Sequence, residues 1–236
     1  MEKINITKFF ESINYNWKND FDSIKKIALI TKTRVGENKH TDMPYGIEQT
    51  FLIKSIAKNI KAKNFYEIGS GRGTASFAVS LEKTINTVYS FDKIPRFVKQ
   101  DTAINYRPAK VSLNDIKKIV PYSEKTKIKF RHIYSRPYYT KLLLGKVDLC
   151  FIDGNHDDYD VVMKDFLNCL KVVKKDKGII LFDDYFPDQY IVKNVVQDIV
   201  QKYNFKTKLI EFRGHIFENG EKESNSGIIL MEIHSN

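Results

Sequence analysis

Three short segments of this 236-residue chain carry side chains that could do chemistry together. The first is Glu67-Ile68-Gly69-Ser70-Gly71-Arg72-Gly73, with Asp92 further on. The second is Asp153-Gly154-Asn155-His156, and the third is Asp183-Asp184. Glycines at Gly69, Gly71 and Gly73 permit a tight turn that a ligand can approach closely. Carboxylates gathered in one place repel one another and stay ionised more easily around a cation. An imidazole such as that of His156 can take a proton near neutral pH.

The spacing narrows the ligand of the turn. The dinucleotide fingerprint places a third glycine five residues after the first, and here that position is Thr74. No Gly-Lys-Ser/Thr follows, so the turn is not a P-loop either. Glu67 would repel a pyrophosphate and suits a ligand with an ammonium or sulfonium group. S-adenosylmethionine (SAM) has both cations and no phosphate. Asp92 lies 23 residues past Gly69, where an acid is placed to bind ribose hydroxyls. The bland alternative is a glycine turn that only closes a βα unit.

The elements that must hold these segments follow from periodicity. Gln49, Leu52, Ile53, Ile56, Ala57 and Ile60 fall on one helical face. Strands are expected over Phe65–Ile68, Thr87–Asp92, Ile128–Tyr134, Val147–Asp153 and Gly178–Phe182, with helices at Thr74–Lys83, Leu113–Val120 and Val162–Val173. Pro187 and Asp188 should open a further helix bearing Ile191, Val195, Val196, Ile199 and Tyr203. Lys208–Phe212 and Ile228–Ile233 are two strands joined by the polar link 213–227, hence an antiparallel hairpin. This is an α/β sandwich with a mostly parallel sheet and an antiparallel edge. Asp153, Asp183 and Asp184 then sit at the carboxyl ends of neighbouring strands, where such sheets bind ligands. Oxygen ligands of this kind suit Mg²⁺, or Mn²⁺ or Ca²⁺. Alternatively, Asp184, Asp157 and Asp158 are helix caps.

Residues Glu67 to Gly73 resemble motif I of the class I SAM-dependent methyltransferases, and Asp92 resembles their ribose-binding acid. The resemblance spans about residues 46–234. It implies a Rossmann-like sandwich with a seven-stranded, mostly parallel sheet and an antiparallel last strand. It implies cofactor contacts from Glu67, Gly69, Ser70, Gly71, Gly73, Asp92, Ser135 and Asp153, with Ser135 at the adenine; Tyr134 departs from the acid that often precedes that position. The later segments resemble the metal-assisted O-methyltransferases of the macrocin and catechol type. That branch implies a divalent ion on Asp153, Asp183 and Asp184, with SAM as methyl donor and a hydroxyl of a small molecule or sugar as acceptor. Asn155 stands where many relatives have Asp, which leaves His156 as the candidate base beside Asp153.

Composition sets the outer limits. The formal charge is +10, but no block of five like charges appears, so a scattered basic surface is expected rather than a nucleic-acid partner. Cys150 and Cys169 lack CxxC spacing and read as buried thiols. No apolar run has the length of a membrane span and residues 1–20 carry no apolar signal core, so a cytoplasmic protein is expected. Residues 1–45 read as a helical extension, a cap or a homo-oligomer contact, with candidate helices at Phe9–Ile13 and Phe21–Ile30, ahead of a methyltransferase-like domain at 46–236. Two rivals stay open: a methyltransferase of RNA or protein, and a non-catalytic SAM-binding domain, which Asn155 would suit. The histidines His40, His132, His215 and His234 have no motif context.

Overall fold

Eight strands form one sheet in the order β1-β7-β8-β6-β5-β2-β3-β4. In chain order they are β1 (Glu2–Asn5), β2 (Asn64–Ile68), β3 (Thr87–Asp92), β4 (Ile128–His132), β5 (Leu149–Ile152), β6 (Gly178–Tyr185), β7 (Lys206–Glu211) and β8 (Gly227–Ile233). The computed structural model describes residues 1–31, 47–99, 111–185, 191–212, 216 and 227–234. All neighbouring strands run parallel except β8, which is antiparallel to both β6 and β7. The central strands are apolar on both faces because helices cover both, as parallel sheets require.

One face is covered by α1 (Ile6–Ser12), α2 (Phe21–Thr31), α3 (Glu48–Asn59), α4 (Thr74–Ser80) and α5 (Leu113–Ile119). The other carries α6 (Arg136–Leu142), α7 (Tyr159–Val172) and α8 (Val192–Tyr203). Side chains close the helix starts: Asn5 accepts from the Lys8 amide at 2.9 Å, Ser112 and Asp115 form a reciprocal capping box, and Asp158 accepts from the Val161 amide at 3.1 Å. Each cap satisfies amides that the first turn leaves without a partner.

Two expectations need correction. The sheet has eight strands, not seven, because Glu2–Asn5 adds a parallel edge to β7. The beginning of the chain is therefore not purely helical: a short run with no helical face of its own takes up the free edge of β7. The strand expected to reach Tyr134 stops at His132, where a 3₁₀ turn over Ile133–Ser135 begins. Cys150 and Cys169 are buried free thiols, as expected. Among the described residues no helix is long and apolar enough to cross a membrane. Pro108, Pro187, Asp188, His40, His215 and most of the 213–227 link lie outside the described residues.

Candidate active site

The glycine turn joins β2 to α4. Gly69, Gly71 and Gly73 all have left-handed backbones, with φ of 95°, 48° and 80°. At Gly69 the need is double, since a Cβ there would fall 1.7 Å from the Asp153 carbonyl oxygen. A side chain would thus push the turn off the end of β5, where the candidate acids begin. The Gly71 amide donates to Asp92 Oδ2 at 2.9 Å, and the Ile94 amide donates to Asp92 Oδ1 at 2.7 Å. The acid at the end of β3 is thereby locked against the turn, half-buried beside it.

Glu67 points beneath the turn rather than into the opening. It is 2% exposed and accepts hydrogen bonds from the Ser76 hydroxyl at 2.5 Å and from the Ser90 hydroxyl. Burial pushes its pKa up to about 7, against the pull of the two hydroxyl bonds and with a further push from Asp92. Neither serine could be assigned from sequence. Ser90 is reached only through the parallel register that sets it opposite Glu67.

The ends of β5 and β6 bring the second group together. One ligand atom from each of Asp153, His156 and Asp184 lies within 4.8 Å of the other two. His156 Nε2 is 3.4 Å from Asp184 Oδ2 and 3.7 Å from Asp153 Oδ1. Asp184 takes a left-handed backbone, φ 49°, at the bulge where β6 shifts register against β8. Asp183 turns the other way. It accepts from Gln49 Nε2 at 2.6 Å and shares a hydrogen bond with Asp153. Asp153 and Asp184 therefore group with His156, and Asp183, tied to Gln49, lies beside Asp153.

Enclosure, then Asp184 and Glu67, hold the Asp153 carboxyl well above the usual carboxylate range. Burial, then Asp153 and Asp184, does the same to Asp183, eased by His156. Four carboxylates thus press on one another across the ends of three adjacent strands. A site of this charge welcomes cations. The two carboxylates are oxygen donors that suit a divalent ion with open positions, and the imidazole beside them can accept a proton.

Other expected residues fall into place differently. Asn155 Oδ1 accepts from the amides of Asp157 and Asp158, both at 2.9 Å, so its side chain shapes its own loop. Asp158 is the cap of α7. Ser135 donates to the His132 carbonyl at 2.7 Å, within the turn that follows β4. Gln49 was legible only as a member of a helical face; its amide among Leu52, Ile53 and Ile56 is the signal that could have marked it as reaching a polar partner.

The fold is thus a doubly wound sheet with one reversed strand, carrying a glycine turn braced by an acid from the next strand. The family model described as a methyltransferase domain matches residues 66–185, more than half of the chain, and the chain belongs to that family. No curated protein matches the sequence. Solved structures do. The O-methyltransferase TomG from Streptomyces achromogenes, solved with SAM, is 12% identical over 90% of this chain and 89% of its own, with a TM-score of 0.60. The SAH-bound methyltransferase PaMTH1 from Podospora anserina is 15% identical over 91% of this chain and 88% of its own, TM-score 0.59. An O-methyltransferase from Bacillus cereus, solved with SAH, is 11% identical over 90% of each chain, TM-score 0.57. At these identities the likeness is one of fold.

Proposed function

We propose that this chain transfers the methyl group of SAM to a hydroxyl of a small molecule or sugar, with a divalent cation, Mg²⁺ first, assisting. The observation that carries the reading is the meeting of Asp153, His156 and Asp184 at the strand ends next to the glycine turn. The O-methyltransferase character of the TomG and Bacillus cereus structures points the same way.

In this reading Gly69, Ser70, Gly71 and Gly73 cradle the methionine part of SAM, Asp92 takes the ribose hydroxyls and Ser135 stands near the adenine. Glu67 acts from below by its charge, since its carboxylate is sealed from solvent. Asp153 and Asp184 would hold the ion, with Asp183 fixing Asp153 beside it. A bound divalent ion supplies Lewis-acid polarisation, lowering the pKa of a hydroxyl it touches. His156 takes the acceptor's proton at Nε2, the nitrogen that faces both carboxylates. Those carboxylates orient the ring and stabilise the imidazolium that forms. The acceptor oxygen then attacks the methyl carbon opposite the sulfur, the carbon–sulfur bond breaks with its electron pair going to sulfur, and SAH leaves; alignment of the reactants provides much of the rate. Residues 1–31 add an edge strand and two helices around the layer from which α3 presents Gln49 to Asp183.

The test is an assay of SAH release from SAM by the full chain. Acceptors with neighbouring hydroxyls, catechol and simple hexoses, are supplied with Mg²⁺ or with excess EDTA. Methyl ether formation that EDTA abolishes and Mg²⁺ restores is expected. An undiminished rate in EDTA removes the ion from the scheme, and failure to bind SAM in calorimetry removes the scheme.

A further inference from the structure

At β4, the last strand of the sheet among the described residues, lies a second polar concavity. A cavity of about 300 Å³ opens there, lined by Arg96, Asn114, Lys117, Ile128, Phe130 and Arg131. That volume lies at the lower end of ordinary small-ligand pockets, about 300–1,000 Å³. The three cations come from three separate stretches: the segment after β3, helix α5, and β4 itself. Backbone carbonyls at the sheet edge hold them in place. Arg96 Nη1 donates to the Phe130 carbonyl at 2.7 Å, Lys117 Nζ to the Ile128 carbonyl at 2.7 Å, and Arg131 Nη1 to the Phe130 carbonyl at 3.0 Å. Arg131 Nε is also fixed by the Tyr139 hydroxyl at 2.5 Å. A guanidinium has five N–H donors and an ammonium three, so these bonds leave donors for a ligand.

Among the described residues no carboxylate lines this cavity. The acid nearest in sequence, Asp115, is turned into its capping box with Ser112 and pairs with Lys99 and Lys118. Burial, then Arg96, Arg131 and Lys125, pushes the Lys117 pKa down, a cost that an anion would relieve. Asp153 and Asp184 lie at the ends of β5 and β6, three and four strand spacings from β4, about 14 and 19 Å, while Asp92 lies on the adjacent β3. The molecule therefore separates a negative mouth from a positive edge.

We propose that this cavity is an oxyanion site that takes the phosphoryl groups of a small molecule, with Arg96, Lys117 and Arg131 supplying the charge and Ile128 and Phe130 the apolar floor. Guanidinium forks match phosphate oxygens in geometry as well as charge. The test of this site does not depend on turnover.

The probe is inorganic pyrophosphate, titrated calorimetrically into the full chain at low salt, with and without saturating SAM. Binding is expected, insensitive to SAM and weakened as NaCl is raised. Asn114→Asp places a carboxylate in the lining while leaving every cation on its carbonyl, and should weaken binding at least about tenfold. The double variant Arg96→Gln/Lys117→Gln should abolish it, with circular dichroism verifying the fold. No binding at millimolar pyrophosphate, equal affinity in Asn114→Asp, or displacement by SAM would each overturn the proposal. So would binding of a short single-stranded RNA where pyrophosphate alone gives none.

Discussion

Asp165 and Asp183 are buried to nearly the same degree, 4% and 7% exposed, yet the chain treats their charges in opposite ways. Asp165 lies on α7 and meets the guanidinium of Arg136 at the start of α6, a pair that is almost sealed. Burial still raises the Asp165 pKa, but Arg136 opposes it through both charge and hydrogen bond. Asp183 meets a neutral amide, Gln49, and another carboxyl, Asp153. Asp148 and Asp20 follow the first pattern, with Lys174 at 2.5 Å and Lys54 at 2.6 Å. Where acids hold the scaffold together, the chain supplies the cation. Where they gather at the strand ends, the described group that faces two of the carboxylates is His156, and a bound cation would add balancing charge there. Raised acids in a cleft are a signature of function, and raised acids beside their own arginine are a signature of structure.

The sharpest break of this contrast is Arg136→Met. It leaves Asp165 buried without its cation and should cost about 3–5 kcal/mol in denaturant unfolding. A loss under 1 kcal/mol would show that the scaffold acids need no partner.

Glu67→Gln should act in the opposite sense. The folded pKa of Glu67, about 7, is above its ordinary value of 4.5. Its favourable contribution is complete below pH 4.5 and is lost as pH rises through 7. At pH 8 the wild type therefore carries the full cost of a buried charge, up to about 3 kcal/mol at about 1.4 kcal/mol per pH unit. The variant should be more stable than wild type at pH 8, with the gap reduced to roughly a quarter at pH 5, and should bind SAM more weakly. A gap that does not change between these pH values would remove the charge from the account.

Asp153→Ala should lower turnover about 100-fold or more while SAM still binds, since it takes a carboxylate from the opening. Its melting temperature at pH 8 should not fall, because the like-charge pressure on Asp183 and Asp184 is relieved. The smallest effect belongs to Gln49→Leu, about tenfold in turnover, the low end for losing a partner that orients a candidate ligand. Added Mg²⁺ should recover part of that loss if Gln49 acts through the ion's site, and none if Gln49 only packs α3.

Much of this fold is legible in the residues. The helix–strand alternation from Gln49 onward, the reversed β8 and the turn at Gly69 all follow from local pattern, because apolar period and glycine placement are properties of a few consecutive residues. Glu2–Asn5 is not legible in that way. Four residues carry too little pattern, and only the open edge of β7 makes them a strand. The acids of the site could be picked out because they end apolar strands, but their orientation could not. Asp183 and Asp184 are adjacent in sequence, and the bulge at the end of β6 sends them to different partners.

Sequence alone thus determined the order of layers, the glycine turn and the identity of the acids available to a cation. Tertiary structure decided that Gly69 must stay bare for the Asp153 carbonyl, that Glu67 works under cover of Ser76 and Ser90, and that His156 rather than Asp183 shares the opening. The physical reason is range. Backbone propensity and apolar period act over a few residues, whereas charge and close packing act through space, between residues such as Gln49 and Asp183 that lie far apart along the chain.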